Sequence, residues 1–239
     1  MKPIAILEHS KDAPAGFLGD AIEQAGLPNV LIELHSGASL PALEDVSAVV
    51  SLGGIMGAYD EDDYDFLAPE KELMRQAVSR DIPVLGICLG CQMLADALGG
   101  SAYPAEKMEV EFAALELTGA GYADPVIGAL GEPVLYFHGD TFDPPPGAEV
   151  LARSPQYPHA FRYGSAVGVQ PHPEVSSSMV REWASGFERS KLERSGINTD
   201  DVLDRMAAGD AENEQRALAM FGAWLDEVVV AQGSQPFQG

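Results

Sequence analysis

Cysteine is nearly absent. Only Cys88 and Cys91 occur in 239 residues, so no disulfide framework holds this chain, and what matters is their local chemistry. Positive charge is also scarce, with 14 Lys+Arg against 37 Asp+Glu and a net charge of −23. The basic residues form no run, which argues against duplex DNA or RNA as a partner, because phosphate binding needs a clustered basic surface. No apolar stretch approaches the ~20 residues that cross a bilayer, so no membrane partner is expected. The start MKPIAILEHS runs directly into a strand pattern without a signal peptide, and the expected location is cytoplasmic. Repeats, low-complexity tracts and a GxxxxGK[ST] phosphate loop are missing too. With 46% hydrophobic and 21% charged residues the chain has a globular profile. A single domain over 1–232 is expected, with 233–239 fraying.

What is there alternates. Short apolar runs at Pro3 to Leu7, Asn29 to Leu34, Ser47 to Leu52 and Ile82 to Cys88 read as strands. Between them, Gly16 to Gly26 and Pro69 to Arg80 keep helical spacing, and Leu89 to Gly100 follows the last as a helix. Such alternation predicts an α/β fold, a three-layer sandwich around a mostly parallel sheet, with ligands at the carboxyl ends of its strands. The second half is less regular. Glu109 to Leu117, Val134 to Phe137, Ala160 to Tyr163 and Ala166 to Gln170 read as hairpins extending the same sheet. Helices are expected over Ser176 to Ser195 and Ala211 to Val230.

GICLGCQ, Gly86 to Gln92, is the strongest local signal. A strand meets a helix at Cys88 with glycine close on both sides, the pattern of a nucleophile elbow. A thiol at a helix N-terminus is favoured as thiolate, and the N–H groups that follow, beginning with Leu89, suit a developing oxyanion. A buried structural cysteine fits Cys88 alone equally well. GVQPHPEVS, Gly168 to Ser176, sets His172 and Glu174 two apart in extended chain, where both side chains share a face. Glu174 is then placed to orient His172, and His172 to activate Cys88.

These segments together resemble the class I glutamine amidotransferases, most nearly the stand-alone proteins related to the amidotransferase domain of GMP synthetase. The likeness runs in order through SLGG-x-x-G (Ser51 to Gly57), LAPEK (Leu67 to Lys71), PVLGICLG (Pro83 to Gly90), FHGDTF (Phe137 to Phe142) and QPHPE (Gln170 to Glu174). It implies a flavodoxin-like fold, with Cys88 as nucleophile, His172 as base and then acid, and Glu174 orienting it. It also implies an oxyanion hole at Gly54 and Leu89. Gly53, Gln92, Phe137, His138 and Gly139 would bind substrate, a glutamine or γ-glutamyl compound. The implied chemistry is hydrolysis of the side-chain amide through a γ-glutamyl thioester, releasing ammonia, with no metal or organic cofactor. A separate synthetase or ligase subunit would accept the ammonia.

Departures from the pattern bear on substrate. Ile55 stands where the oxyanion loop commonly has Pro, and Gly57 where a small polar residue is usual; both are expected to loosen that loop. Pro171 replaces an aromatic residue, and Glu111 a frequent glycine. Cys91 invites a redox reading as a resolving thiol, against which stands a small packing residue. A zinc site is not expected, since no second cysteine pair exists and the histidines lack ligand spacing. The acidic run Asp60 to Asp65 reads as a solvated lid-like loop, and His138 with Asp140 as pocket architecture. Two other functions remain open on sequence: a γ-glutamyl peptidase or hydrolase, and a non-catalytic redox or binding protein of the same fold.

Overall fold

Every residue of Ile4–Glu8 (β1) is buried, as required of a strand covered on both faces. The computed structural model describes residues 1–186 and 189–233. Asn29–Glu33 (β2), Ala48–Ser51 (β3) and Val84–Ile87 (β4) follow β1, alternating with helices Gly16–Gln24 (α1) and Leu67–Ser79 (α2). Leu89–Ala97 (α3) continues from β4. Beyond it come Ser101–Ala113 (β5), Glu116–Leu117 (β6), Gly119–Ala123 (α4), Val134–Asp143 (β7), Glu149–Arg153 (β8), Pro158–Tyr163 (β9) and Ala166–Val169 (β10). Ser177–Ser185 (α5), Arg189–Ser195 (α6), Asp200–Ala208 (α7) and Asp210–Gly233 (α8) complete the described chain.

Eight strands form one sheet in the order β2-β1-β3-β4-β10-β9-β8-β6. Pairings from β2 through β10 are parallel and those from β10 through β6 antiparallel. Alternation along β1 explains the layers. Ile4 and Ile6 enter one core with α1 and the Trp224 and Phe221 side chains of α8. Ala5 and Leu7 enter the other, with Leu67 and Met74 of α2 and Leu94 of α3. The expected α/β fold with a mostly parallel central sheet flanked by helices is the observed one.

The second half departs from expectation in an instructive way. Val134 to Phe137 does not extend the main sheet; β7 pairs with β5 in a separate two-stranded sheet. Its apolar face (Val110, Phe112, Leu135, Phe137) is covered by Val180 and Trp183 of α5 and by Val202, Leu203 and Met206 of α7. The helix expected over Ser176 to Ser195 ends at Ser185, before Gly186, and α6 is a separate segment. Fraying was expected over 233–239; Gly233 closes α8, and 234–239 lie outside the described residues. Among the described residues no helix is long and apolar enough to cross a membrane.

Topology sets the site. Ile87 of β4 is in register with Val169 of β10, and Ser51 of β3 with Gly86 of β4. The three segments that follow these strands (52–57, 88–92 and 170–174) therefore leave the sheet side by side at its carboxyl edge.

Candidate functional site

Cys88 turns the chain from β4 into α3 with φ 51° and ψ −106°, a region that L-residues seldom enter. Its N–H donates to the Val169 carbonyl at 2.9 Å, and the Gly90 N–H to that of Leu52 at 3.1 Å. The flanking glycines are required by space. A Cβ on Gly86 would lie 2.5 Å from the Gly90 oxygen, and one on Gly90 only 2.1 Å from the Ser51 oxygen. The strand-turn-helix read from GICLGCQ is thus held by close backbone approach on both sides, with the buried Cys88 side chain at its apex.

His172 arrives from the far segment. Its N–H donates to the Leu135 carbonyl at 2.8 Å, tying the HPE segment to β7. Its Nδ1–H donates to Glu174 Oε1 at 2.7 Å, and its ring faces Cys88 across Gly53, near enough for the sulfur to act on its charge. Burial would lower the pKa of this imidazole; the Glu174 charge and the Cys88 sulfur outweigh it and hold the pKa well above its ordinary value. Glu174 is itself fixed through its backbone. The Phe17 N–H donates to its carbonyl at 2.9 Å, and Gly16 (φ +48°) comes so close that a Cβ would stand 2.0 Å from that oxygen. Trp183 packs edge-on against both His172 (5.1 Å between ring centroids) and Phe137 (5.4 Å). Sequence reading missed Trp183. Its helical neighbours gave no sign that it backs the imidazole.

A cavity of about 390 Å³, including its open mouth, lies in front of Cys88. Of the expected site residues, Gly54, Leu89, Gln92, Phe137, His138 and Gly139 line it with Cys88. Gly53 does not. It sits behind, where a Cβ would approach His172 Cε1 to 3.3 Å and Cys88 Cβ to 3.7 Å, so its role here is clearance between the two side chains. Gln92 spends its amide N–H groups on the Asp140 carbonyl and Gln170 Oε1, both at 3.1 Å, which locks it as a wall. Ile55, over half exposed, stands at the mouth.

The loop after β3 is better anchored than Gly57 suggested. A Cβ on Gly57 would meet the Tyr59 ring at 2.6 Å; the glycine makes room for that ring. Asp60 accepts the Gly57 N–H at 2.7 Å, and the Tyr59 hydroxyl donates to Asp140 Oδ2 at 3.2 Å. From the acidic run, Glu61 pairs with Lys71 at 2.7 Å, and Lys71 also reaches Asp96. Beneath the loop is a wholly buried network that sequence reading also missed. His9 donates to the Gly53 carbonyl and to Glu70 Oε2 (2.8 Å), and Ser51 donates to Glu70 Oε1 (2.7 Å). Cys91 lies fully buried in the apolar core around α2 and α3, where burial and the neighbouring Cys88 push its pKa well up. That environment suits packing and opposes a resolving thiolate.

Among the described residues two clusters have ligand-like composition. Glu8, Glu33 and His35 gather with Glu8 buried and Glu33 exposed, and Glu109, His138 and His159 gather in the interior. The expectation that histidines do not cluster fails for the second, because they come from different strands and carry no sequence spacing.

Known proteins resemble this chain in sequence and fold. The family described as glutamine amidotransferase class-I matches residues 23–182. A glutamine amidotransferase from Thermotoga maritima is 30% identical, with a TM-score of 0.82 over 95% of this chain and 98% of that one. The glutamine amidotransferase-like protein YfeJ of Salmonella typhimurium is 28% identical over 95% of this chain and 97% of its own length. A glutamine-hydrolysing GMP synthase from Thermomicrobium roseum is 38% identical over 54% of this chain, but the match spans only 23% of that longer protein.

Proposed function

The chain belongs to the class I glutamine amidotransferase family, and on that premise we propose that it hydrolyses the side-chain amide of glutamine at Cys88 and supplies the ammonia to a separate synthetase. The convergence of Cys88, His172 and Glu174 at one edge of the sheet is the observation that supports this most directly.

The Cys88 thiolate attacks the amide carbon, and the carbonyl oxygen takes the negative charge beside the N–H groups of Gly54 and Leu89. The His172 imidazolium gives its proton to the leaving nitrogen; the C–N bond breaks, ammonia departs and a γ-glutamyl thioester remains. Water, deprotonated by His172, then attacks the same carbon. The C–S bond breaks, glutamate leaves and the thiolate returns. Glu174 keeps Nδ1–H pointed at itself, so the opposite ring nitrogen does the proton transfer, and it stabilises the imidazolium. Phe137, His138 and Gly139 receive the amino-acid end of the substrate. The match spans 23% of the glutamine-hydrolysing GMP synthase, and the likeness to that longer protein supports an ammonia-using synthetase as acceptor.

Purified protein given glutamine releases ammonia and glutamate in equal amounts, and Cys88→Ala lowers the rate by at least about 10³-fold. A chloroketone analogue of glutamine labels Cys88. Cleavage of γ-glutamyl peptides with no ammonia from glutamine, even beside synthetases, overturns the proposal in favour of a γ-glutamyl hydrolase. Failure of Cys88 to be labelled in reduced, folded protein overturns it in favour of a non-catalytic relative.

A further inference from the structure

We propose that Glu109, His138 and His159 form a binding site for one divalent transition-metal ion of the zinc or cobalt class, placed behind the wall of the glutamine pocket. Glu109 is the cross-strand partner of His138 in the β5–β7 sheet, and His159 belongs to β9 of the main sheet. Nε2 of His138 and Nε2 of His159 each lie 3.0 Å from the same Glu109 oxygen, Oε2. Both histidine side chains are at most 1% exposed.

Hydrogen bonding leaves this trio unsatisfied. Nδ1 of His138 lies 2.9 Å from the Asp140 carbonyl, which can only accept, so Nδ1 carries a proton and Nε2 is the ring nitrogen that can offer a lone pair to an ion beside the carboxylate. Neither Nε2 nor Glu109 Oε2 makes a directed hydrogen bond among the described residues. His159 Nδ1 likewise has no hydrogen-bond partner among the described residues, so its ring can present the Nε2 lone pair, and a cation between the three atoms would satisfy what the hydrogen bonds leave open. The spacing fits. The two Nε2–Oε2 separations of 3.0 Å are within about 0.4 Å of the ~3.4 Å between tetrahedral ligands held about 2.1 Å from an ion, and the third pair lies within 4.8 Å. Two outer bonds complete the pattern: Ser154 Oγ donates to Glu109 Oε1 at 2.9 Å, and His138 Nδ1–H to the Asp140 carbonyl, each steadying a ligand from behind. Two imidazoles and one carboxylate select zinc-like ions over calcium or magnesium.

Such an ion would tie the small sheet to the main one. Because His138 also lines the cavity before Cys88, it would fix one wall of the pocket without entering the acyl chemistry. The proposal does not depend on what that pocket hydrolyses.

Full-length protein stripped with a chelator is titrated calorimetrically with Zn²⁺ and, in parallel, with Co²⁺ followed by its visible absorption. The expected result is one ion per chain and a higher melting temperature with Zn²⁺. Glu109→Gln and His159→Gln, checked for folding by circular dichroism, lose more than the ~10–100-fold in affinity that removing an outer partner costs. Ser154→Ala falls within that range. Cys88→Ser and His35→Ala, which remove the nearby thiol and the other cluster, leave binding intact. The assignment is overturned if wild type binds neither ion stoichiometrically, if binding survives His159→Gln and Glu109→Gln, or if it disappears with Cys88→Ser or His35→Ala.

Discussion

Nδ1 of His172 and Oε1 of Glu174 stand 2.7 Å apart, joined across a single proline that keeps the pair extended. The carboxylate raises the pKa of the imidazole against the burial that would lower it. Glu174→Gln removes the charge and keeps the shape. The basic limb of the kcat/KM profile should then move to lower pH by at least about one pH unit, together with a fall in kcat. NMR titration of His172 in both proteins checks the same shift; an unchanged titration would show that Glu174 does not set the charge of the ring.

Trp183 tests whether the imidazole needs support from behind. It is almost fully buried against His172 and Phe137, and its indole N–H donates to the Asp12 carbonyl at 2.5 Å. Trp183→Leu opens space on that side and should destabilise the fold by about 3 kcal/mol. In the fraction that remains folded, kcat falls while labelling of Cys88 by a chloroketone slows in parallel. Stability lost with labelling unchanged would make Trp183 a packing residue only.

Cys88 holds a backbone conformation that costs about 1–3 kcal/mol for a residue with a Cβ. Cys88→Ala keeps the cost and Cys88→Gly relieves it. The glycine variant should therefore be the more stable of the two inactive proteins by about 1 kcal/mol, reversing the usual order of Ala over Gly. Urea unfolding of both variants decides it, and an alanine variant equal or superior in stability would mean that the elbow carries no strain.

The strand-turn-helix at Cys88 and the extended HPE segment were legible because each rests on local rules. Glycines flanking Cys88 answer to backbone contacts, and Pro173 biases the residue before it. The parallel half of the sheet was legible from buried runs such as Val84–Ile87. The β5–β7 sheet was not, since a strand facing α5 and α7 shows the same apolar run as one added to the main sheet. Contacts between distant segments were equally hidden. Nothing near Trp183, His9 or His159 in the sequence names its partner, and Gly57 read as slack because the Tyr59 ring that fills its space is a tertiary feature.

His9 and Glu70 form a wholly buried ion pair under the loop that carries Gly53 and Gly54. Burial lowers the His9 pKa, but the Glu70 carboxylate and the Gly53 and Leu52 carbonyls raise it by more, above 6.5. A raised folded pKa means that the stabilisation is complete below 6.5 and is lost as pH climbs through the folded value. Glu70→Gln leaves the histidine without its counter-charge and should cost about 3–5 kcal/mol. The stability gap between wild type and His9→Gln should be wider at pH 6 than at pH 9. Urea melts at both values test this, and a gap that widens with alkalinity would reverse the assignment.

Tyr59 reaches Asp140 at the cavity wall, its hydroxyl donating to Asp140 Oδ2 while Gly57 leaves space for its ring. Partial burial and the Asp140 charge push its pKa up to about 12, so the phenol stays protonated and the bridge persists throughout the physiological range. The bridge joins the loop after β3 to β7, the strand that carries Phe137, His138 and Gly139. Tyr59→Phe cuts the bond and keeps the ring, and should raise KM for glutamine by about 2- to 10-fold, the worth of one hydrogen bond, with little change in kcat. Gly57→Ala drives a methyl into the ring and should raise KM further, because the whole ring must leave its seat. A KM insensitive to both substitutions would mean that the loop closes on substrate without this contact.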